Sequence, residues 1–345
     1  MWYTECGKDG DVVLSSRVRL ARNLKGIPFP ARANEEAQNL VLSRCREAML
    51  ERENPWQRQV KFIDLSVMEP YEKQAIAERH LISPQMMDNN VKRGILLSDD
   101  NQLSILLNEE DHIRIQVMAA GFDLERCFQD ANQVDDLMEE TVEYAFDNRI
   151  GYLTCCPTNA GTGMRASVMV HLPALTLSGT VNQVIDSLAQ LGMTVRGIFG
   201  EGSKAVGNLY QISNQLTLGA TEEDILEKFK QIVEEVIEKE REMRKRLLQT
   251  QKYKLEDRLM RSLGILKYAV ILNSDEAMKR LSDVRLGIEL GLIGDITLET
   301  VNSIIYEVLP ANIMKKYNLS DPTERDLKRA EIVRERMEEG CSKID

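Results

Sequence analysis

The chain has 345 residues, with 44 Lys and Arg against 55 Asp and Glu, so its formal net charge is −11. This length predicts two domains or one large domain with an appendage, and 43% hydrophobic with 29% charged residues is typical of a globular chain. The acidic balance argues against a nucleic-acid-binding protein, which needs a surplus of Lys and Arg. The sequence has no apolar run of the roughly 20 residues that span a bilayer, and its six irregularly spaced cysteines exclude a disulfide scaffold. We therefore expect a soluble, cytoplasmic protein that binds neither nucleic acid nor a membrane.

Strand and helix signals alternate over the first two-thirds of the chain. The predicted strands are short and bounded by Gly, Pro, Asn or Asp, and they cover residues 61–67, 93–99, 102–118, 151–157, 166–173 and 194–201. Apolar residues at three- and four-residue steps from 124 to 145 predict an amphipathic helix. Thr221, followed three residues later by Asp224, predicts a capping box that begins another helix.

Strand signals stop at about residue 249. Ser274, Thr297 and Asp321 resemble helix N-caps, and Pro322 suits a first helical turn. The charged residues 238–254 predict a solvated helix or a hinge. We therefore divide the chain into residues 11–248, a mixed domain, and residues 249–345, an all-helical domain.

Residues 15–23 place two arginines on a predicted strand. If Val18 and Leu20 face the core, Arg17 and Arg19 share the opposite face, because side chains alternate along a strand. Two adjacent guanidiniums repel each other unless an anion such as a polyphosphate lies between them. An edge strand with solvated charges is the alternative.

Three consecutive acids, Glu109, Glu110 and Asp111, follow an apolar stretch. If the strand continues straight, Glu110 shares one face with Arg114, and the other two acids lie on the opposite face. Acids in this position are costly to bury without a cation or a basic substrate nearby. A turn at the end of the strand, with the acids in water, is the alternative.

Two glycine-containing segments follow. Gly161 and Gly163 precede Arg165 and would let the backbone approach a ligand closely, although no Walker A Lys-Ser/Thr pair is present. Cys156 is either a reactive thiol or a buried small side chain. Residues 196–208 carry four glycines around Glu201, which predicts a mobile loop that closes over a site or, alternatively, a surface hairpin.

In this order the segments resemble the ATP:guanido phosphotransferase (phosphagen kinase) family, which includes creatine kinase and arginine kinase. The family's S-x-R-V-R, N-E-E-D-H-x-R, C-P-x-N-x-G-T-x-x-R-A and R-G-x-x-G-E motifs match residues 15–19, 108–114, 156–166 and 196–201, followed by Ser213 and Asn214. The resemblance covers residues 11 to 245. It implies an α+β fold with an antiparallel sheet flanked by helices, to which a C-terminal all-helical domain is added.

Two departures from the family's small-molecule kinases point to one branch. The first motif begins at residue 15, so we expect their N-terminal helical domain to be absent, and the helical tail has no counterpart in them. Both features resemble the bacterial protein arginine kinase branch (the McsB type), which phosphorylates arginine side chains in proteins. Residues 325–330, RDLKRA, match that branch's R-D-x-x-R-A motif, which implies that Arg325, Asp326 and Arg329 bind phosphoarginine. An ordinary first helical turn with a surface ion pair is the alternative.

The resemblance implies a site for ATP and Mg²⁺, with the metal ion bridging phosphate oxygens and taking no direct protein ligand. His80 is our candidate for base recognition, because the family's adenine-stacking histidine is replaced here by Leu97; a structural histidine is the alternative. The other residues expected to contact ATP come from four motifs and are Ser15, Ser16, Arg17, Val18, Arg19, Arg114, Arg165, Ala166, Ser167, Val168, Met169, Arg196, Gly197, Ile198, Phe199, Gly200 and Glu201.

The acceptor guanidinium is protonated at neutral pH, so a carboxylate must hold it and remove a proton. The resemblance implies that Glu110 is the catalytic base, that Glu201 is the second carboxylate clamp, and that Cys156 lies close to the acceptor and is sensitive to oxidation. The expected partners are basic proteins bearing arginine, an activator protein, protein-quality-control machinery and a second copy in a homodimer. A kinase for free arginine or another small guanidino compound, and an adaptor that only reads phosphoarginine, are the alternatives.

Overall fold

The computed structural model describes residues 1–88, 91–197 and 205–341. The described strands are β1 (Val13–Arg22), β2 (Val60–Asp64), β3 (Gly94–Ser98), β4 (Leu103–Leu107), β5 (Ile113–Ala120), β6 (Phe146–Asp147), β7 (Gly151–Tyr152), β8 (Met164–His171), β9 (Met193–Gly197) and β10 (Leu209–Asn214). The described α-helices are α1 (Glu35–Arg46), α2 (Pro70–Glu78), α3 (Leu124–Glu139), α4 (Pro173–Leu177), α5 (Val181–Gln190), α6 (Glu222–Tyr268), α7 (Ser274–Glu289), α8 (Leu298–Glu307), α9 (Pro310–Tyr317) and α10 (Pro322–Cys341).

One antiparallel sheet organises the first two-thirds of the chain. Within the described residues it has eight strands in the order β2-β3-β4-β5-β1-β8-β10-β9, so β1 lies near the centre between β5 and β8. The strands β6 and β7 form a separate short hairpin. Helices flank the sheet, and helices alone follow β10. The predicted α+β class, with an antiparallel sheet and a helical C-terminal region, is confirmed.

The two faces of the sheet differ in character. Val18, Ile115 and Val168 lie on one face, in the main hydrophobic core, where α3 and the first half of α6 pack. Burial of apolar side chains stabilises this layer by about 25 cal/mol per Å². The opposite face carries basic and polar residues at its centre, and this face positions the candidate site.

Apolar clusters cover the basic face on both sides of its centre. On one side, residues of α2 and the segment after it pack against Ile95 and Leu106. On the other side, Met118 and Met169 pack in a cluster formed largely by the helices from α6 onward. The centre of the face therefore lies between two apolar clusters, one formed with the α2 segment and one with the helical C-terminal region.

Most predicted strands are shifted or shortened by a few residues at their ends, and three predicted elements differ more strongly from the structure. Residues 102–118 form two strands joined by a turn, because Asn108 adopts a left-handed φ of 58°. Helix α3 ends at Glu139, earlier than predicted, and the chain then returns to the sheet, where Tyr144 bridges Leu24. Of residues 151–157, two form a strand, and the rest belong to a loop.

The predicted helix caps are mostly confirmed. The Asp224 N–H donates to Thr221 Oγ1 at 3.1 Å, and the Thr221 N–H donates back to Asp224 Oδ2 at 3.2 Å, which completes the capping box. Thr297 caps α8, and Asp321 accepts from the first turn of α10. For α7 the cap is Asn273 rather than the neighbouring Ser274.

Helix α6 runs for 47 residues through the predicted boundary at 248/249. Gln251, with φ −138° and ψ 31°, interrupts its helical geometry, so the chain kinks within the predicted hinge segment. The division into two domains at residue 248 stays a prediction. None of the described helices is long and apolar enough to cross a membrane.

Buried polar contacts attach the C-terminal helices to the sheet domain. Glu78, at the end of α2, accepts from the Ala311 and Asn312 N–H groups at 2.9 and 3.0 Å, and so caps α9. Arg285 of α7, fully buried, donates to the Asp11 carbonyl and contacts His171 Nδ1 at 2.8 Å. Groups buried in this way are costly to separate, because each loses its partner.

Candidate active site

Four arginines lie together on the basic face of the sheet. Arg17 and Arg19 are two residues apart on β1, so they share a face, as predicted. Arg165 on β8 lies directly opposite Arg19, and Arg114 on β5 lies opposite Ala21. Directly paired residues of antiparallel strands have their side chains on the same face, so the pairing register brings the four guanidiniums together.

The arginines repel one another. Burial, and then the charges of Arg114 and Arg165, lower the pKa of Arg17 to about 10. Burial and the neighbouring arginines also lower the pKa of Arg19 well below its usual value, against the attraction of Glu109. Among the described residues, Arg19 Nε is buried without a hydrogen-bond partner. A polyphosphate would supply both the missing negative charge and the missing acceptor.

Other predicted ATP contacts divide between the two faces. Ser15, Ser167 and Met169 share the basic face, and Ser167 Oγ accepts from Arg17 Nε at 3.1 Å. Arg196 on β9 lies further along the same face, opposite Gln211. The residues whose side chains lie on the opposite, core face are Ser16, Val18, Ala166 and Val168. The structure therefore does not bring these four side chains together with the arginines.

The predicted loop after β9 is described only at its start and end. Gly197 ends β9. The predicted site residues that lie outside the described residues are Ile198, Phe199, Gly200 and Glu201.

The three consecutive acids lie in a tight turn between β4 and β5. The Asn108 N–H donates to the His112 carbonyl at 2.9 Å, and the Glu109 N–H donates to the Asp111 carbonyl at 3.1 Å. The prediction of a straight strand is therefore wrong, and the alternative of a turn is correct. The acids are nevertheless not simply in water.

Each acid has a different environment. Glu109 is 5% exposed; it forms an ion pair with Arg114 at 2.6 Å and accepts from Ser83 Oγ. Asp111 is fully buried. The side chain of Glu110 is 31% exposed and lies 3.4 Å from Arg114 Nη2. Of the three, Glu110 is the one that can reach a ligand.

The environment of Glu110 favours its protonated form. Burial raises the pKa of Glu110, Arg114 lowers it, and the neighbouring Asp111 and Glu109 raise it again, with a net upward shift. A carboxylate with a raised pKa is a stronger base than an ordinary glutamate, which suits proton removal from a guanidinium.

Asp111 joins two segments of the site. The first is the turn at residues 108–112, which we call the acid turn, and the second is the loop at residues 153–163, which we call the cysteine loop. Its Oδ1 accepts from the Cys155 N–H and from Asn23 Nδ2, both at 2.7 Å. Asn23 in turn accepts from the His112 N–H at 2.9 Å. Asn23 was not among the predicted site residues, although it ends the same segment as Arg17 and Arg19, and an amide directly after a buried strand is a signal for such a contact.

Cys156 is partly exposed at the edge of this loop. Its Sγ lies 2.9 Å from Thr158 Oγ1. The adjacent Cys155 is also partly exposed, and burial and the charge of Asp111 raise its pKa to about 12. Solvent therefore reaches both thiols of this loop.

The two loop glycines approach the protein's own backbone. A Cβ at Gly161 would lie 2.3 Å from the Thr217 carbonyl oxygen, and one at Gly163 would lie 2.6 Å from that of Ala21. Both residues have positive φ. Their absent side chains allow the loop to pack on β1 and on the segment after β10, rather than leaving space for a ligand as predicted.

His80 lies beside Arg17, where the α2 segment meets helix α8. Its ring centroid is 6.0 Å from that of Tyr306 and 6.4 Å from that of Trp2. Burial and the charge of Arg17 lower the pKa of His80 to about 3, so its ring is neutral. Its position next to an arginine of the cluster agrees with a role near the nucleotide, which stays a prediction.

Comparison with known proteins shows which family the chain belongs to. The domain family described as ATP:guanido phosphotransferase, C-terminal catalytic domain, matches residues 41–243, more than half of the chain. The chain belongs to the ATP:guanido phosphotransferase family. The family described as protein-arginine kinase McsB C-terminal domain matches residues 252–343. The recognition made from the motifs is confirmed.

Curated relatives match over nearly their whole length. The chain is 46% identical over 327 residues to a protein-arginine kinase of Caldanaerobacter subterraneus, covering 94% of this chain and 96% of the relative. It is 46% identical over 338 residues to a protein-arginine kinase of Bacillus subtilis, covering 97% and 93%.

Solved phosphotransferases share the fold. A duplicated taurocyamine kinase from Schistosoma mansoni, with bound transition state analog components, superposes with a TM-score of 0.60 at 25% identity, over 66% of this chain and 33% of that chain. Lombricine kinase superposes with a TM-score of 0.58 at 27% identity, over 67% and 66%. This member of the family thus spans a third of the first structure and slightly less than two thirds of the second.

The RDLKRA segment of this phosphotransferase lies in the first turns of α10. Arg329 is 1% exposed and donates to the Val308 and Leu272 carbonyls at 2.8 and 2.9 Å. It also forms an ion pair with Asp326, whose side chain is 27% exposed. The alternative of a surface pair is therefore wrong. Arg325 donates to the Ser320 carbonyl at 2.6 Å.

Proposed function

We propose that this phosphotransferase transfers the γ-phosphate of ATP to arginine side chains of proteins. The observation that carries the proposal is the arrangement on the basic face, where the strand register brings four arginines together beside Glu110. A cluster of this kind suits a polyphosphate, and a partly exposed carboxylate at its edge suits a guanidinium. The names of the curated relatives support a protein rather than a small molecule as acceptor.

The arginines would hold the nucleotide. Arg19 and Arg165, which lie opposite each other, would bind adjacent phosphates. Arg17 and Arg114 would bind phosphate oxygens on either side of this pair. Ion pairs with the phosphates would remove the mutual repulsion that lowers the pKa of Arg17. Positioning and charge neutralisation of this kind are most of what phosphoryl transfer needs from a protein.

Mg²⁺ is proposed as a partner of the phosphates rather than of the protein. Within the described part of the chain, no group of three or more His, Cys, Asp or Glu side chains is placed to hold a metal ion. We propose a metal held mainly by phosphate oxygens and water, because Mg²⁺ keeps several waters and binds substrate phosphates in such sites. When bound, the ion would neutralise charge that develops on the phosphates.

Glu110 is proposed as the catalytic base. It lies on the turn that Asp111 fastens to the cysteine loop, so its position is set by contacts on both sides. It would accept hydrogen bonds from the acceptor guanidinium and take the proton that is lost on attack. Glu201 would supply the second carboxylate, and Cys156 would contact the acceptor from the loop.

Phosphoarginine binding in α10 is proposed for Arg325 and Asp326. Arg325 would meet the phosphate, and the exposed edge of Asp326 would meet the guanidinium. Arg329, which the motif also includes, would orient Asp326 from its buried position. This division of roles follows from burial, because a side chain that donates to two backbone carbonyls is already engaged.

The proposed partners follow from charge and exposure. An acidic protein attracts basic substrate proteins, and we propose those bearing arginine as substrates. Tyr253, Tyr268 and Val270 on or after α6 are each more than 70% exposed, which supports a homodimer through the helical region. We also propose an activator protein and protein-quality-control machinery as partners, on the likeness to the McsB family. Five of the six cysteines, Cys6, Cys45, Cys127, Cys155 and Cys156, are free thiols in the described structure, which supports a location in the reducing cytoplasm.

Phosphorus NMR tests the function directly. The protein is incubated with Mg-ATP and a basic protein, and the products are examined for an acid-labile P–N bond. Appearance of this signal in the protein fraction supports the proposal. Transfer to free arginine but not to any protein would instead identify a kinase for a small guanidino compound.

A further inference from the structure

A groove of about 670 Å³ lies beside the cysteine loop, on the core side of the sheet's edge. Its walls come from α3, the β6–β7 hairpin, the segment after β10 and the first turn of α6. We call it the acidic groove. The lining residues that matter here are Asp135, Asp136, Phe146, Leu218, Glu222 and Glu223.

Negative charge dominates the acidic groove. Five carboxylates line it, against the guanidiniums of Arg22 and Arg149. Arg22 is 1% exposed and is already engaged, because its Nη2 lies 2.6 Å from Asp135 and 3.6 Å from Glu222. The groove therefore presents a surplus of carboxylates to a ligand.

Two details indicate that the single guanidinium of Arg22 does not balance the carboxylates around it. Asp135 is 7% exposed, and within the described structure its Oδ1 is buried without a hydrogen bond, while Oδ2 accepts from Arg22. Burial raises the pKa of Glu222, Arg22 lowers it, and Asp135 and Glu223 raise it again. Crowding of this kind is relieved when a cation enters. Asp224 belongs to the cap of α6, which explains its position in the groove. The carboxylates on α3 have no such capping role.

The rim of the groove is apolar. Phe146 is 54% exposed, Leu218 is 60% exposed and Ile150 is 45% exposed. Large apolar side chains around a polar floor are typical of sites that bind a polypeptide. A nucleic acid or another polyanion is excluded here by the sign of the charge.

The groove adjoins the loop that carries Cys156. Tyr152 pairs with Gly161 to close the base of the cysteine loop, and both residues line the groove. Thr217, also in its lining, donates from Oγ1 to the Thr158 and Ala160 carbonyls. The loop that carries Cys156, and that Asp111 binds through the Cys155 N–H, is thus one wall of the groove.

We propose that the acidic groove binds the residues that flank the target arginine, as an extended segment carrying lysine or arginine. The proposal rests on the proposed function, because the bound segment leads its arginine past the cysteine loop to Glu110. The lysine ammonium or arginine guanidinium groups of the segment pair with Asp136, Glu223 and Asp135, and apolar side chains pack on Phe146 and Leu218. Recognition of this kind contributes to KM for the substrate protein and not to the chemical step.

The test compares a groove variant with a matched control. The groove variant is Asp136→Lys with Glu223→Lys; both side chains are exposed, and neither takes part in an ion pair that the described structure contains. The control is Glu53→Lys with Glu235→Lys, which makes the same change of charge at exposed positions outside the groove. Thermal unfolding followed by circular dichroism checks that both variants are folded.

The substrates are a peptide with one arginine flanked by lysines, the same peptide with glutamines for the lysines, and free arginine. We expect the groove variant to raise KM for the lysine peptide by about tenfold or more, as buried or closely approached charge pairs do, with kcat unchanged. KM for the glutamine peptide and for free arginine stays the same, and the control leaves all three values unchanged. An unchanged KM for the lysine peptide, or an equal rise for the glutamine peptide, overturns the proposal.

A binding measurement that involves no phosphoryl transfer tests the groove separately from the proposed kinase function. A fluorescein-labelled lysine peptide with its arginine replaced by glutamine is titrated by anisotropy into the wild type, the groove variant and the control. Weaker binding to the groove variant alone supports the groove, even if no protein is phosphorylated and the proposed function fails. Equal binding to all three proteins, or no binding to the wild type, removes the groove while leaving the phosphotransfer proposal intact.

Discussion

The Asp111 carboxylate accepts a hydrogen bond from the Cys155 backbone amide at 2.7 Å, and this contact holds the acid turn against the cysteine loop. The two segments are more than forty residues apart in the chain. Because Asp111 is fully buried, the contact is protected from water and fixes the relative position of Glu110 and Cys156. A carboxylate with no direct part in the chemistry thus positions two groups that are proposed to have one.

Glu110→Gln should abolish phosphoryl transfer. Glutamine keeps the size of the side chain but cannot take a proton, so we expect kcat to fall by a factor of about 10² or more. The affinity for ATP should stay within about twofold, because Glu110 lies at the edge of the arginine cluster and contacts Arg114 at only 3.4 Å. Transfer assays and nucleotide titration measure the two effects, with Glu53→Gln as an exposed control. A parallel loss of ATP binding would contradict the assigned role.

Arg19→Ala should weaken ATP binding strongly. A charge-assisted hydrogen bond contributes about 1.5–3 kcal/mol, so the dissociation constant should rise roughly 10- to 100-fold. Arg17→Ala and Arg165→Ala should act in the same direction. Arg44→Ala, at an exposed position of α1, is the control and should have no effect. Unaltered titration curves for all three cluster variants would count against the phosphate cradle.

Arg19→Met should stabilise the protein in the absence of nucleotide. Replacing a buried charge among like charges by an apolar side chain removes repulsion and an unpaired donor, so the free energy of unfolding should rise by about 1–3 kcal/mol. Arg22→Met, three positions along the same strand, is the contrasting variant, because it leaves Asp135 buried without its ion pair and should destabilise the protein. Urea denaturation measures both. If Arg19→Met lowers stability, the arginines are not in mutual repulsion.

The acid limb of the pH profile should respond to Asp111. Glu110 must be ionised to act as a base, and its raised pKa places the loss of kcat/KM at a higher pH than for an ordinary glutamate. The negative charge of Asp111 raises the pKa of Glu110, so Asp111→Asn should lower that pKa and move the acid limb to lower pH. The asparagine oxygen can still accept from the Cys155 N–H. Asp99→Asn is the control, and a limb that stays in place or moves to higher pH would refute the coupling.

Helix α10 should make the activity of the protein depend on phosphoarginine, the product of the proposed reaction. Free phosphoarginine should change the activity or the assembly of the intact protein, and the Arg325→Ala, Asp326→Ala double variant should lose that response while keeping basal transfer. Reciprocal linkage requires that a ligand which favours the active state also binds that state more tightly. Lys328→Ala with Glu331→Ala removes an ion pair from the same helix and serves as the control. Calorimetry that finds equal phosphoarginine affinity in the wild type and the Arg325/Asp326 variant would exclude this role.

Local periodicity predicted much of the basic face. Side-chain alternation alone places Arg17 and Arg19 together, and the spacing of Thr221 and Asp224 predicts their reciprocal hydrogen bonds. The register that adds Arg114 and Arg165 cannot be obtained in this way, since it depends on which strands pair. The family motifs identified Arg114 and Arg165 as members of the site, but they did not show how the strands pair.

The errors have a common cause. The left-handed conformation of Asn108 turns the chain at the acids, and asparagine permits this conformation without requiring it. The burial of Arg329 was not predicted, neither by its expected role in phosphoarginine binding nor by the alternative of a surface pair, because the carbonyls it binds, at Val308 and Leu272, are distant in sequence. The acidic groove is assembled from four separate segments, so no window of sequence contains it.

The apolar cluster that the C-terminal helices share with the sheet domain has a genetic consequence. Leu14, Met118 and Met169 lie in that cluster, and Tyr306 touches the ring of His80 beside Arg17. A premature stop codon after residue 248 would therefore strip the cover from the nucleotide side of the sheet. Such an allele would have the phenotype of a catalytic knockout even if none of the deleted residues took part in catalysis. Point substitutions within α10, and not truncations, are the alleles that can separate the tail's own role from its structural one.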